Sequence, residues 1–73
     1  MKPNRRAILT ELPPGFLDDL PEEDQKAILE IVGKPIEFVG YDEDGRAELR
    51  FTDGNEAFHA IWVGREFVRP LKS

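Results

Sequence analysis

The hydrophobic period changes at Lys34, and this change constrains the fold more than any other feature of the chain. Between residues 21 and 32 the apolar positions recur at helical spacing, whereas beyond Lys34 they alternate and turn residues follow at short intervals. A helical part followed by consecutive strands is typical of an α+β domain with an antiparallel sheet. The chain has 73 residues and no cysteine, so it has room for one domain, which must be stabilised by packing or by a partner.

The main helix is predicted to run from about Pro21 to Val32. Proline is tolerated at a helix start, and the three acids that follow it complement the positive end of the helix dipole. Asp18 or Asp19 is expected to cap the helix, and Gly33 to end it. The apolar face, which we expect to pack on the sheet, comprises Ala27, Ile28, Ile31 and Val32.

The first 33 residues divide into two predicted segments. Residues 1–13 form an extended N-terminal arm, in which Ile8 and Leu12 are expected to dock on the domain as an added strand. A helical segment spans residues 14–33, beginning with one short helical turn from Pro14 to Asp19. Phe16 and Leu17 would point inward from this turn.

The first predicted hairpin joins a strand over Pro35–Tyr41 to a return strand over Arg46–Thr52. The loop between them is Asp42-Glu43-Asp44-Gly45, in which the glycine can adopt a positive φ. Apolar and polar residues alternate strictly along the return strand, so one of its faces is expected to be buried and the other wet. The predicted buried face comprises Ala47, Leu49 and Phe51.

The next predicted strand, Ala57–Val63, is apolar on both faces. Such a pattern predicts a central strand, covered by the sheet on one side and by the helix or the arm on the other. A tight turn at Gly64-Arg65-Glu66 then leads to a short final strand over Phe67–Leu71. Pro70 suits the edge or the end of a sheet, because it has no backbone N–H to donate.

The segment Trp62-Val63-Gly64-Arg65-Glu66-Phe67-Val68-Arg69-Pro70-Leu71 resembles the end of an SH3-like barrel, where a strand meets a single 3₁₀ turn and a short closing strand. The resemblance covers residues 34–71 and implies an SH3-like β-barrel of four to five strands. The chain also resembles small uncharacterised bacterial proteins in which a Pro-Pro-Gly segment and an acidic helix precede such a barrel. The early Ala-Leu-Tyr-Asp-Tyr strand with which true SH3 domains bind proline-rich peptides is absent from this sequence.

The charge distribution disfavours nucleic acid as a partner. Residues 11–48 contain twelve acids and three bases, a net of −9, within a chain of net charge −5. A duplex-binding domain presents a basic face, and this chain would instead be repelled. We interpret the basic residues of the arm as a solubilising tail; they are Lys2, Arg5 and Arg6. No apolar run approaches a membrane span or a signal peptide, so we expect no membrane association and a cytoplasmic location.

The residues needed for catalysis or cofactor binding are scarce, so we predict no catalytic residue, no metal ligand and no cofactor. Ser73 is the only serine, His59 is the only histidine, and no glycine-rich phosphate loop occurs. An EF-hand register set on Gly45 would place Phe51 at the position that requires glutamate. A weak divalent site at Asp42, Asp44 and Glu48 stays open, although a solvated hairpin tip explains these residues better.

By elimination, the sequence favours a non-catalytic protein-interaction or accessory module with an unknown protein partner. Tyr41, Trp62 and Arg65 are the candidate contacts, because aromatic residues and arginine are enriched at binding hot spots. For Trp62 we favour the competing interpretation as a core residue, since large aromatics contribute most to buried area. Two alternatives stay open: a small hydrolase or metal-assisted enzyme using His59 with Asp42 or Asp44, and an acidic mimic of nucleic acid.

Overall fold

A computed structural model describes residues 5–71, so the first four arm residues, including Lys2, lie outside the described residues, as does Ser73. The described chain is a small α+β domain with one helix and a five-stranded antiparallel sheet. No helix among residues 5–71 has the length and apolar content needed to cross a membrane. The elements are β1 (Arg6–Leu9), α1 (Glu22–Ile31), β2 (Pro35–Tyr41), β3 (Arg46–Thr52), β4 (Phe58–Gly64), a 3₁₀ turn η1 (Arg65–Phe67) and β5 (Val68–Pro70).

The sheet has the strand order β4-β3-β2-β1-β5. The predicted docking of the arm as a strand is confirmed, and β1 lies between β2 and β5 rather than at the periphery. Its buried side chains are Ala7 and Leu9, both 0% exposed, instead of the predicted Ile8. Side chains alternate across a strand, so Ile8 necessarily faces the opposite way.

The helix is one residue shorter at each end than predicted. Pro21 occupies the N-cap position and no side chain caps it, so the cap predicted at Asp18 or Asp19 is wrong. The backbone N–H of Gln25 donates to the Pro21 carbonyl, and the side-chain amide of Gln25 donates to the Leu20 carbonyl. The three acidic residues of the first turn complement the positive end of the helix dipole, as predicted.

The end of the helix is hydrogen-bonded to β1. Gly33 adopts φ +85°, and its N–H donates to the Leu9 carbonyl over 2.9 Å. Residues 14–19 form successive turns rather than the predicted helical turn, with Phe16 and Leu17 partly buried against the core. The buried part of the predicted helix face is Ala27 and Ile28, while Ile31 and Val32 pack around it.

The strands of the first hairpin, β2 and β3, have the bounds predicted from the sequence. The core lies on one face of the sheet. Ala47 and Leu49 are fully buried and Phe51 is 8% exposed, so the predicted inward face of β3 is confirmed. In β2 the register shifts between Phe38 and Gly40, which marks a β-bulge at Val39.

The central position predicted for the strand over Ala57–Val63 is wrong. β4 pairs only with β3 within the described chain and therefore lies at an edge of the sheet, because β5 pairs with β1 instead. The sheet is not closed, so the structure does not confirm the SH3-like barrel. The predicted final edge strand is present as β5, with Phe67 belonging to the preceding 3₁₀ turn.

Candidate functional site

The sheet formed by residues 5–71 has two edges, β4 and β5, and β4 is the longer of these two strands. In an antiparallel ladder, residue pairs that exchange backbone hydrogen bonds alternate with residue pairs that do not. One observed bond therefore shows which residues of the hairpin direct their N–H and C=O groups toward the partner strand and which direct them away. The N–H of Asp53 donates to the carbonyl of Ala57 over 2.9 Å. Counting from that bond, the backbone N–H and C=O groups of Phe58, Ala60 and Trp62 point away from β3.

Large apolar side chains accompany these backbone groups. Phe58 is 64% exposed and Trp62 is 44% exposed, and both share the outer face of the sheet with Ala60. They lie opposite residues of the wet face of β3, with Phe58 across from Thr52 and Trp62 across from Glu48. The core interpretation of Trp62 is therefore wrong, because residues paired across a ladder share one face.

Nothing in the sequence of β4 protects its edge. The strand pairs with β3 over seven consecutive residues without a bulge, and it contains no proline and no lysine. The opposite edge, β5, has only three residues and includes Arg69 and Pro70. Short length, charge and proline are the usual means of preventing strand addition, so β5 is protected and β4 is not.

A cleft of about 330 Å³ runs beside this edge, between β4 and the chain that leads into α1. Its lining combines six apolar residues with three charged or polar ones. Its lining consists of Phe16, Leu20, Asp24, Ile28, Arg46, His59, Ala60, Ile61 and Trp62. A single ligand can therefore contact both the backbone of β4 and the adjoining cleft.

The three predicted contacts do not form one surface. The Arg65 guanidinium lies 4.6 Å above the centroid of the Tyr41 ring, within the range of a cation–π interaction. Tyr41 is 45% exposed and lies opposite the buried Ala47, whereas Trp62 lies on the outer face. The bulge at Val39 explains the separation, since one extra residue reverses the side-chain alternation beyond it.

His59 contacts carboxylates other than the two that were predicted. Its Nε2 lies 2.8 Å from Asp53 Oδ2 and its Nδ1 lies 3.9 Å from Asp24 Oδ1, while its ring stacks on Phe51 at a centroid distance of 5.0 Å. Asp42 and Asp44 instead bind Arg46, at 3.1 and 3.3 Å. Asp24 and His59 line both the β4 cleft and a second cleft of about 490 Å³ beside α1, and Asp53 lines the second cleft alone.

The Asp53 carboxylate organises the turn before β4. Its Oδ1 accepts the backbone N–H groups of Asn55 and Ala57, at 2.8 and 3.0 Å. The hydrogen bond from His59 and these two bonds hold the pKa of Asp53 below its ordinary value of 3.8. A backbone N–H from Arg46 is the largest cause of the lowered pKa of Asp42, in the equivalent position of the preceding hairpin.

These lowered pKa values predict a loss of stability in acid. A carboxyl group whose pKa is lower in the folded than in the unfolded chain stabilises the fold fully above the unfolded value, and this contribution is lost as the pH falls through the folded value. The free energy of unfolding of the wild type should therefore decrease below pH 3.8. Asp53→Asn should lose less stability than the wild type between neutral pH and about pH 3, as measured by urea unfolding.

Glu43→Gln is the matched control for this prediction. It removes an exposed carboxylate from the first hairpin tip and leaves Asp42 and Asp53 in place. The control should follow the acid dependence of the wild type. An acid dependence of Asp53→Asn equal to that of the wild type would show that the fold does not favour the ionised form of Asp53.

Phe58, Asp24 and Asp53 belong to the site but were absent from the predicted contacts. The segment Asp53-Gly54-Asn55 did contain a usable signal, since aspartate at a turn commonly accepts the N–H two residues later. Asp24 and Phe58 had no local signal, because their roles depend on which strand lies at the edge. Among residues 5–71, no three side chains of the metal-binding types converge to hold an ion.

Comparisons with protein-family models, curated proteins and solved structures gave no match.

Proposed function

We propose that this chain is a non-catalytic protein-interaction domain whose contact surface is the open edge of β4 with its adjoining cleft. The observation that carries the proposal is an unprotected edge of seven residues that displays Phe58 and Trp62. An extended segment can add to such an edge through main-chain hydrogen bonds, while neighbouring pockets accept its side chains and supply specificity.

We also propose that the sheet has an SH3-like architecture, and the path of the chain supports this proposal. Five strands in a flat sheet would place the outer two roughly 19 Å apart, at about 4.8 Å per spacing. Here the outer strands β4 and β5 are joined by the three residues of η1, which at about 2 Å per residue cover much less. The sheet must therefore curl, as the closing end of an SH3-like barrel does.

The proposed hydrolase has less support. His59 lies within hydrogen-bond distance of a carboxylate beside a cleft, as a general base would. Its side chain is only 14% exposed and stacked on Phe51, and no hydroxyl or thiol lines either cleft formed by the described residues. The acidic mimic is disfavoured by the pairing of several acids with the guanidinium groups of Arg46 and Arg50.

Ala60→Pro tests the proposed surface directly. The N–H of Ala60 points to the open edge, so proline removes a donor for an added strand and leaves the ladder with β3 intact. A displayed library of random peptides should be panned against protein immobilised at low density, so that each molecule is presented singly. Enriched peptides should bind the wild type, fail to bind Ala60→Pro, and shift the amide resonances of β4.

Leu29→Ala is the control, because it removes an exposed apolar side chain of α1 that lines neither cleft. Circular dichroism should show that both variants are folded. Peptides that bind the wild type and Ala60→Pro equally would locate the contact elsewhere. Failure of every peptide to bind a wild type that is itself monomeric would contradict the strand-addition surface.

A further inference from the structure

The occupant of the β4 edge can be inferred from the symmetry of the edge itself. Its outward-pointing backbone groups belong to Phe58, Ala60 and Trp62, with the smallest side chain in the middle. We propose that a second copy of this chain pairs with β4 in antiparallel orientation, about a two-fold axis through Ala60. The inference rests on the proposed function, since it names the partner of the same surface.

The register centred on Ala60 satisfies the backbone. Ala60 would exchange two hydrogen bonds with Ala60 of the other copy, and Phe58 and Trp62 would exchange two bonds at each end. All six outward N–H groups of the two strands thereby find carbonyl acceptors. A two-fold axis repeats every contact, so one favourable pairing stabilises the interface twice.

The side chains fit the same register. Phe58 of one copy lies directly opposite Trp62 of the other, on the outer face where both are now exposed. Aromatic pairs across an antiparallel ladder stabilise a sheet, and this register forms two of them. Alanine faces alanine at the axis, so no bulky side chain obstructs the approach.

The charges at the two ends of the edge are complementary to each other. The exposed Glu56 precedes β4, and Arg65, which is exposed although its guanidinium contacts the Tyr41 ring, follows it. Antiparallel pairing brings the Glu56 end of one strand beside Arg65 of the other copy, at both ends of the interface. Between these ends the row formed by Phe58, Ala60 and Trp62 carries no charge, so a second copy meets no like charge along the strand.

Sedimentation equilibrium at increasing protein concentration tests the inference. The wild type should show a monomer–dimer equilibrium with a Kd in the micromolar to millimolar range, and Leu29→Ala should match it. Ala60→Pro should stay monomeric. Amide hydrogen exchange at Phe58, Ala60 and Trp62 should slow as the wild-type concentration rises.

A charge exchange tests the register without depending on the folding of the proline variant. Glu56→Arg or Arg65→Glu should each weaken dimerisation roughly three- to tenfold, since each places like charges together at both ends. The double variant, Glu56→Arg with Arg65→Glu, should restore the wild-type Kd. Equal Kd values for the wild type and both single variants would overturn the register.

The outcomes separate this inference from the function on which it rests. A wild type that is monomeric up to about 1 mM, yet binds selected peptides in an Ala60-dependent manner, would refute the second copy and keep the interaction surface. A dimer that persists in a folded Ala60→Pro variant would refute the β4 interface. A monomer that binds no peptide would refute both.

Discussion

Replacing Ala7 by aspartate is expected to leave the chain unfolded at neutral pH. Ala7 is 0% exposed and lies in β1, between Ile36 of β2 and Pro70 of β5. An unpaired carboxylate at this position costs several kcal/mol, and its burial also disrupts the packing on both sides. A single core in a chain of this size contributes roughly 3–5 kcal/mol of net stability, so the substitution exceeds what the fold can tolerate.

Circular dichroism and urea unfolding should show no cooperative transition for Ala7→Asp. Arg5→Asp places the same carboxylate at an exposed position two residues earlier and should change stability by only about 0.5 kcal/mol. A folded Ala7→Asp variant with nearly wild-type stability would mean that β1 is a peripheral arm.

Leu49→Ala is expected to destabilise the domain by about 2–5 kcal/mol. Leu49 is fully buried in β3 and lies opposite Phe38 on one side and Ile61 on the other. Its removal leaves a cavity bordered by three strands, which hydrogen-bonded backbones cannot easily close. Much of the population should therefore be unfolded at room temperature, with the urea midpoint moved close to zero.

Leu29→Ala makes the same chemical change at a helix position that is 55% exposed. Its effect on the unfolding free energy should be about 0.5 kcal/mol or less. A difference of less than about 1 kcal/mol between the two variants would contradict the assignment of Leu49 to the core.

Local patterns predicted the elements well where one face of an element is buried and the other is wet. The alternation in Arg46–Thr52, with a glycine turn before it, identified the bounds and the inward face of β3. The acidic start and apolar stripe identified α1 to within one residue at each end. These features depend on residues close together in the chain, which is why sequence patterns capture them.

Strand neighbours were not predictable in the same way. The apolar faces of β4 predicted a central strand, but apolar residues on both faces are equally compatible with an exposed contact surface. Which strand lies at the edge depends on the pairing of β1 with β5, a contact between distant parts of the chain. The bulge at Val39, which separates Tyr41 from Trp62, had no sequence signal beyond the adjacent glycine.

The position of β1 has a consequence for how the domain is made. Ala7 pairs with Pro70, 63 positions later, so an early strand of the chain obtains its second neighbour from one of the last. On the ribosome, the helix and the first hairpin can form while the chain is still growing, but the sheet stays incomplete until Pro70 has left the exit tunnel. Contacts of such long range also slow the closure of the fold, so β1 of the nascent chain carries unpaired backbone until β5 emerges.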